Sequence, residues 1–194
     1  MTRSIRWRII VLQVVALLVL AFGAGAGFVA NSFTTTQIHD QLAPQQIYFP
    51  ATAAQGLPKD LSQYAGQQVL TGEQAHAYAE QFIGLHLQEI GQGHPYSYWS
   101  AQARAATDPA VAAKDQAIAD TLFKGETLRS MLNQAWTFSV IAQLALIAGI
   151  AFAIAAVIVL GTLVFEVAEM VTGKETVEAI EATPAATPEV VVAR

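Results

Sequence analysis

The side chains best suited to binding a metal or moving a proton are the four histidines, His39, His76, His86 and His94. On a helix, His76 and Glu80 are four residues apart and share a face, with Glu73 on the same side. His86 lies about 80° further around such a helix at 100° per residue, so it does not converge on His76. We therefore predict a solvated polar face at His76 and Glu80, and no metal site. His86 is nearer the apolar side of this helix and is expected to be hydrogen-bonded and partly buried.

Residues for other kinds of chemistry form no recognisable motif. The sequence contains no Gly-x-Ser-x-Gly turn, phosphate-binding loop or dinucleotide fingerprint. It has no cysteine, which excludes disulfides, thiolate metal sites and covalent haem attachment. The net charge is −5, which gives no support for nucleic-acid binding. We predict a protein that is not an enzyme and has no cofactor, no metal and no nucleic-acid partner.

Two apolar segments dominate the rest of the chain. Residues 136–165 contain no Asp, Glu, Lys, Arg or His, and about 20 apolar residues suffice to cross the hydrocarbon of a bilayer. Residues 9–30 form the other segment. The chain as a whole is 13% charged, whereas soluble domains are about 25% charged. We predict a transmembrane helix in each segment.

Three arginines set the predicted orientation, since Arg3, Arg6 and Arg8 precede the first span. By the positive-inside rule, residues 1–8 and the acidic tail 166–194 are cytoplasmic, and residues 31–135 lie outside the plasma membrane. The first span can also be interpreted as a signal peptide cleaved at residues 24–26, Ala-Gly-Ala. We favour an uncleaved helix because the apolar run continues past that point.

Between the spans the sequence predicts a small helical domain. Residues 31–70 are rich in glutamine and proline, which predicts an irregular segment anchored by Tyr48 and Phe49. Thr71 and Gln74 have the spacing of a capping box and predict a helix that runs to about residue 90. Its expected apolar stripe is Ala75, Tyr78, Ala79, Phe82, Leu85 and Ile90.

A long helix is predicted to follow. Asp108 is a suitable N-cap before Pro109, and only Gly125, a possible kink, interrupts the helical composition before the second span. Residues 166–182 continue as an acidic helix, and residues 183–194 are expected to be extended. The triplet Val190–Val192 suits addition to a partner's sheet or groove, or belongs to a free tail. The predicted fold is an all-α membrane protein, with two transmembrane helices flanking a helical extracytoplasmic domain.

Small residues within the spans are candidate contacts with a partner helix. Gly23 and Gly27 form a GxxxG pair in the first span, and Ala145, Gly149 and Ala153 repeat every four residues in the second. Such faces allow two helix backbones to approach closely. The same faces also suit packing of the two spans against each other.

Each span carries one amide side chain, Gln13 in the first and Gln143 in the second. Their depths differ by roughly 14 Å at 1.5 Å per residue, so they cannot bond to each other. Each must reach the membrane surface, bond to a backbone carbonyl or meet another chain. We count both as candidate partner contacts.

An aromatic cluster, Tyr96, Tyr98 and Trp99, follows the first helix of the outer domain. Three interpretations remain open: the core of that domain, a contact with another protein, and a position among lipid headgroups.

Two stretches carry a resemblance to known proteins: residues 75–86 (AHAYAEQFIGLH) and residues 122–133 (LFKGETLRSMLN). With the basic start and the two spans, residues 5–165 resemble a family of small actinobacterial two-span membrane proteins. Some members look like accessory subunits of the respiratory supercomplex that joins cytochrome bcc to the aa3 oxidase. The resemblance implies a non-catalytic accessory role, with lipid and bcc or aa3 oxidase subunits as partners. The alternative is a freestanding extracytoplasmic sensor or ligand-binding membrane protein.

Overall fold

The computed structural model describes the backbone of residues 3–181 and the side chains of residues 5–172. Five α-helices are α1 (Arg3–Leu42), α2 (Gly72–Ala77), α3 (Gly84–Ile90), α4 (Tyr96–Ala105) and α5 (Pro109–Glu181). A π-helical turn, Tyr78–Ile83, joins α2 to α3, and short 3-10 helices cover Ala43–Gln45, Ala53–Gln55 and Lys59–Tyr64. Residues 3–181 contain no β-strand, only an isolated bridge between Tyr48 and Gln68. The predicted all-α class is confirmed for this range. The predicted extended segment 183–194, with Val190–Val192, lies outside the described residues.

Two of these helices are long and apolar enough to cross a membrane, by length and composition. They are α1, with 40 residues, and α5, with 73 residues. Their large apolar side chains face outward, as shown by Phe22, 79% exposed, and Val157, 69% exposed. An apolar exterior of this kind is what hydrocarbon solvates and water does not, so both helices fit a membrane protein.

The irregular segment predicted from residue 31 begins later, because α1 continues to Leu42. Residues 31–42 contain neither glycine nor proline, and the first proline is Pro44. Ile38 and Leu42 are buried in the hydrophobic core, which gives the extension of the helix its packing. The prediction was wrong for residues 31–42 and is confirmed for residues 43–70. Of the two predicted anchors, Phe49 is buried, whereas Tyr48 is 54% exposed.

The described chain divides into two compact units. The paired-helix unit consists of Met1–Ala26 and Ala148–Arg194, and the cap unit is Gly27–Ile147. The cap unit includes the whole of the predicted outer domain, residues 31–135. Its core is formed by side chains from α1, the 3-10 region, α2, α3 and α5, among them Ile38, Phe49, Leu61, Val69, Leu87 and Leu132.

The capping interactions predicted from the sequence at the starts of two helices, at Thr71 and at Asp108, are confirmed. The Thr71 hydroxyl accepts from the backbone N–H of Gln74 at 3.2 Å, and the Gln74 side chain accepts from the N–H of Thr71 at 3.2 Å. This reciprocal capping begins α2. The Asp108 carboxylate accepts from the N–H of Ala110 at 2.8 Å at the start of α5.

The π-helical turn changes which side chains of α3 are buried. Four of the buried side chains, Ala75, Ala79, Ile83 and Leu87, follow one another at a spacing of four residues. A regular α-helix rotates about 120° over the twelve residues from 75 to 87. A π-helical insertion absorbs one residue and leaves a rotation of only about 20°, so Leu87 faces the core with Ala75. The predicted stripe was therefore wrong at its far end, where Leu85 and Ile90 are 48% and 39% exposed.

Candidate functional site

A cluster of polar side chains joins the π-helical turn to α5 inside the cap unit. Glu80 accepts hydrogen bonds from the Arg129 Nε at 3.2 Å, from the Arg129 Nη2, and from the Asn133 Nδ2 at 2.6 Å. Glu80 and Arg129 are each about one-third exposed. The hydrogen bonds from Arg129 and then Asn133 lower the pKa of Glu80, and the bond to Glu80 raises the pKa of Arg129. Charge-assisted hydrogen bonds therefore connect the π-helical turn to α5.

His76 belongs to the same cluster through Asn133. The Asn133 amide nitrogen is directed at Glu80, so the amide oxygen is directed at His76, whose Nδ1 lies 2.9 Å away. Nδ1 must then carry the hydrogen and donate it, because an amide oxygen only accepts. The imidazole also stacks on the Trp136 ring, with centroids 4.1 Å apart. The predicted solvated face was wrong, since His76 and Glu80 are both half-buried against α5.

The other histidines lie apart from this cluster. His86 is hydrogen-bonded as expected, with its Nδ1 donating to the Phe82 carbonyl at 2.7 Å, but its side chain is exposed rather than partly buried. His39 is exposed and lies 3.2 Å from the Asp40 carboxylate. Among the described residues, no group of three or more His, Asp or Glu side chains is placed to hold a metal ion.

A cleft of about 570 Å³ opens beside the polar cluster. Its charged lining consists of Glu80, Glu126 and Arg129. The Arg129 Nη1 lies 3.4 and 3.5 Å from the two Glu126 oxygens, so that bond is much weaker than the one to Glu80. The rest of the lining includes Leu85, Leu87, His94, Pro95, Tyr96 and Leu122. The cleft thus combines two carboxylates and one guanidinium with an apolar wall.

The aromatic cluster divides between the core and the surface. Trp99 packs against the hydrophobic core, and its Nε1 donates to the Gly91 carbonyl at 2.9 Å. Tyr96 and Tyr98 are 41% and 38% exposed. The core interpretation therefore fits Trp99, while the two tyrosines stay candidates for a partner contact.

Two further exposed rings, His94 and Phe123, pair with these tyrosines. We call the four side chains, His94, Tyr96, Tyr98 and Phe123, the aromatic patch. The Tyr96 and Phe123 centroids are 5.6 Å apart, and those of His94 and Tyr98 are 3.9 Å apart. Phe123, which the sequence did not single out, is 59% exposed. Its one signal in the sequence is a large aromatic side chain with a charged residue three positions before it, Asp120, and three positions after it, Glu126.

Within the paired-helix unit, the small residues support packing of α1 on α5. A side-chain carbon at Gly23 would lie 2.9 Å from the Phe152 ring, so the glycine provides the space that the ring fills. Gly149 is buried and Ala153 is half-buried. In the cap unit, Gly27 and Ala145 are also half-buried. The packing of the two spans on each other accounts for Gly23.

The two glutamines differ in their surroundings. The Gln13 Nε2 donates to the Thr162 hydroxyl at 3.4 Å, so Gln13 finds a partner on α5. Gln13 lies ten residues before Gly23 on α1, whereas its partner Thr162 lies ten residues after Phe152, the partner of Gly23, on α5. The two helices of the paired-helix unit therefore run antiparallel in constant register. Gln143, in the cap unit, is exposed.

No protein-family model, curated protein or solved structure matches the chain. Function is therefore inferred from the chemistry of the surfaces and of the cleft.

Proposed function

We propose that the protein is a non-catalytic accessory subunit that docks onto a larger integral membrane complex. The observation that carries the proposal is the aromatic patch, in which Phe123 is 59% exposed and Tyr96 is 41% exposed. Both belong to the cap unit, which on this proposal lies in water outside the membrane. Large, stiff aromatic side chains exposed together are typical anchors of protein contacts.

The membrane arrangement in this proposal has α1 and α5 crossing the plasma membrane, with both termini in the cytoplasm. The arginines that precede the apolar part of α1 favour this orientation. The outward-facing apolar side chains of both helices suit contact with lipid. They leave the cap unit as the surface available to a partner outside the membrane.

Contacts inside the membrane are proposed at small residues that the chain itself leaves uncovered. Gly25 and Gly161 have no side chain or backbone atom of other segments within 4 Å of where a side-chain carbon would stand. A partner helix can approach the backbone closely at such positions. In the cap unit, the exposed Gln143 offers a partner helix a hydrogen bond in an otherwise apolar segment.

For the partner, we propose subunits of an actinobacterial respiratory supercomplex, cytochrome bcc or aa3 oxidase. Support comes from the resemblance of residues 75–86 and 122–133 to the two-span family that includes such subunits. The polar cluster agrees with a structural role, because its charged groups are committed to hydrogen bonds between helices.

Affinity purification from native membranes in mild detergent tests this proposal. The tagged wild-type chain is expected to bring down a defined complex with haem absorbance. Replacing Tyr96 and Phe123 by Ala should reduce the recovery of that complex, whereas Tyr48→Ala, an exposed aromatic change outside the patch, should not. Recovery of the wild-type chain alone would contradict the proposal.

A second candidate is an extracytoplasmic ligand-binding or sensor protein. The cleft favours it, because Leu122, Glu126 and Arg129 line the cleft from α5, the same helix that continues to Glu181. A ligand bound there would contact the element that leads toward the tail. Ligand binding by the chain in the absence of any co-purifying complex would support this candidate.

A further inference from the structure

We infer that the cleft beside Glu80 and Arg129 binds an organic cation, namely an amine or guanidine carried on an apolar stem. The inference goes beyond docking onto a complex, and it needs only the chain itself. It rests on three properties of the cleft: a carboxylate with free accepting capacity, an excess of negative charge, and an apolar and aromatic wall.

The carboxylate with free capacity is Glu126. Both Glu80 oxygens already accept hydrogen bonds, one from Asn133 and the other from Arg129. The Glu126 oxygens lie 3.4 and 3.5 Å from the Arg129 Nη1, and the Glu126 side chain is 53% exposed. A carboxylate offers about four acceptor positions, so Glu126 can accept two or three more hydrogen bonds from a bound cation.

The charge balance of the cleft favours a cationic ligand over an anionic one. The cleft contains two carboxylates, Glu80 and Glu126, and a single guanidinium, Arg129. An anion would have to take Arg129 from Glu80, whose carboxylate is bonded to both Nε and Nη2. A cation instead meets the surplus carboxylate without breaking any bond. Residues 31–135 as a whole also have a negative net charge, with nine Asp or Glu residues against five Lys or Arg residues.

The wall of the cleft supplies the rest of the recognition. Leu85, Pro95 and Leu122 line it with apolar surface, and Tyr96, which is 41% exposed, belongs to the same lining. A cation over the face of a tyrosine ring gains electrostatic attraction from the ring. The volume of about 570 Å³ is within the range of small-molecule sites.

The same chemistry has two sources: a free aliphatic or aromatic amine, and a Lys or Arg side chain of a polypeptide. Both place a cation near Glu126 and apolar carbon against the leucines. Two probes distinguish them: 4-fluorophenethylamine represents the free amine, and N-acetyl-lysine methylamide represents a polypeptide side chain.

Binding is measured on the full chain in lipid nanodiscs by fluorine NMR of 4-fluorophenethylamine, with empty nanodiscs as the blank. The isosteric anion control is 4-fluorophenylpropionate. The amine is expected to bind, and the carboxylate to bind at least about tenfold more weakly. Displacement by N-acetyl-lysine methylamide at lower concentration than by unlabelled phenethylamine assigns the site to a polypeptide side chain, and the reverse order assigns it to a free amine.

Variants locate the binding. Glu126→Gln is expected to weaken the amine about tenfold, whereas Glu89→Gln, an exposed carboxylate of α3 outside the cleft lining, should change it less than twofold. Tyr96→Phe keeps the ring and should retain binding, and Tyr96→Ala should lose it. Far-UV circular dichroism of each variant confirms that it is folded. Absence of amine binding by the wild-type chain, equal binding of the carboxylate, or an unaffected Glu126→Gln variant each overturns the inference.

Discussion

Leu87 occupies the space that a side chain at position 125 would need. A carbon attached to Gly125 would overlap both Cδ atoms of Leu87, which is buried in the core of the cap unit. Gly125 therefore is a packing position on α5, which passes it without a break. The sequence had presented it as a place where the helix can kink, and its role is close contact between α3 and α5.

Gly125→Ala is expected to destabilise the cap unit by up to about 2 kcal/mol. Forcing extra carbon into a packed core costs about 1–3 kcal/mol, which outweighs the gain of about 1 kcal/mol in helix propensity. Unfolding of the detergent-solubilised chain, followed by circular dichroism, measures the difference. Gly161→Ala on the same helix is the control, because no atom of other segments lies near that position. Combining Gly125→Ala with Leu87→Ala should cost less than the sum of the two single changes, and strict additivity would argue against the contact.

Glu80→Gln is expected to lower the stability of the cap unit at neutral pH by about 1 kcal/mol, a discounted value for a partly exposed ion pair. Because the pKa of Glu80 is lowered in the folded chain, its contribution is present above its usual value of 4.5 and is lost as the pH falls through the folded value. Below pH 4.5, the melting temperature of the wild type should therefore decrease with falling pH more steeply than that of Glu80→Gln. Glu89→Gln should leave the acid dependence unchanged, and parallel curves for wild type and Glu80→Gln would refute the assignment.

Gly23→Leu is expected to disturb the packing of α1 on α5 in the paired-helix unit, because the Phe152 ring fills the space beside Gly23. The chain has no cysteine, so Gln13→Cys with Thr162→Cys gives an unambiguous pair for a short thiol crosslinker. The yield of crosslinked product in membranes should drop when Gly23→Leu is added. Gly25→Leu, two residues away at an open position, should leave the yield unchanged. Equal yields in the two variants would show that Gly23 is not a packing position.

The proposed orientation predicts which single cysteines a membrane-impermeant maleimide labels in intact cells. Ser97→Cys, exposed in the cap unit, should be labelled directly. Glu169→Cys, exposed on α5 within the predicted cytoplasmic tail, should be labelled only after the cells are permeabilised. The reverse pattern would place the cap unit in the cytoplasm and rule out the proposed topology.

The sequence predicted those features that short-range signals determine. The capping box at Thr71 and the N-cap at Asp108 each involve atoms two or three residues apart, and both are found as expected. The two apolar helices follow from composition alone. Such features need no knowledge of what packs against them.

The sequence could not predict features that depend on distant partners. Glu80 looked solvated because its partners, Arg129 and Asn133, are 49 and 53 residues away. The extension of α1 to Leu42 depends on burial of its last turn in the core. Exposed Phe123 was missed for the same reason, since a periodic pattern cannot show which apolar side chains stay exposed.

The π-helical turn accommodates one residue more than an ordinary helix would hold between Ala75 and Leu87. If one of residues 78–83 were deleted, the segment could become a regular α-helix, and its eleven remaining steps from Ala75 to Leu87 would leave a rotation of about 20°. Leu87 would still face the space beside Gly125, and the same side of α3 would stay turned inward. A homologue shorter by one residue here would therefore lose the π-helical turn and keep the contact between α3 and α5.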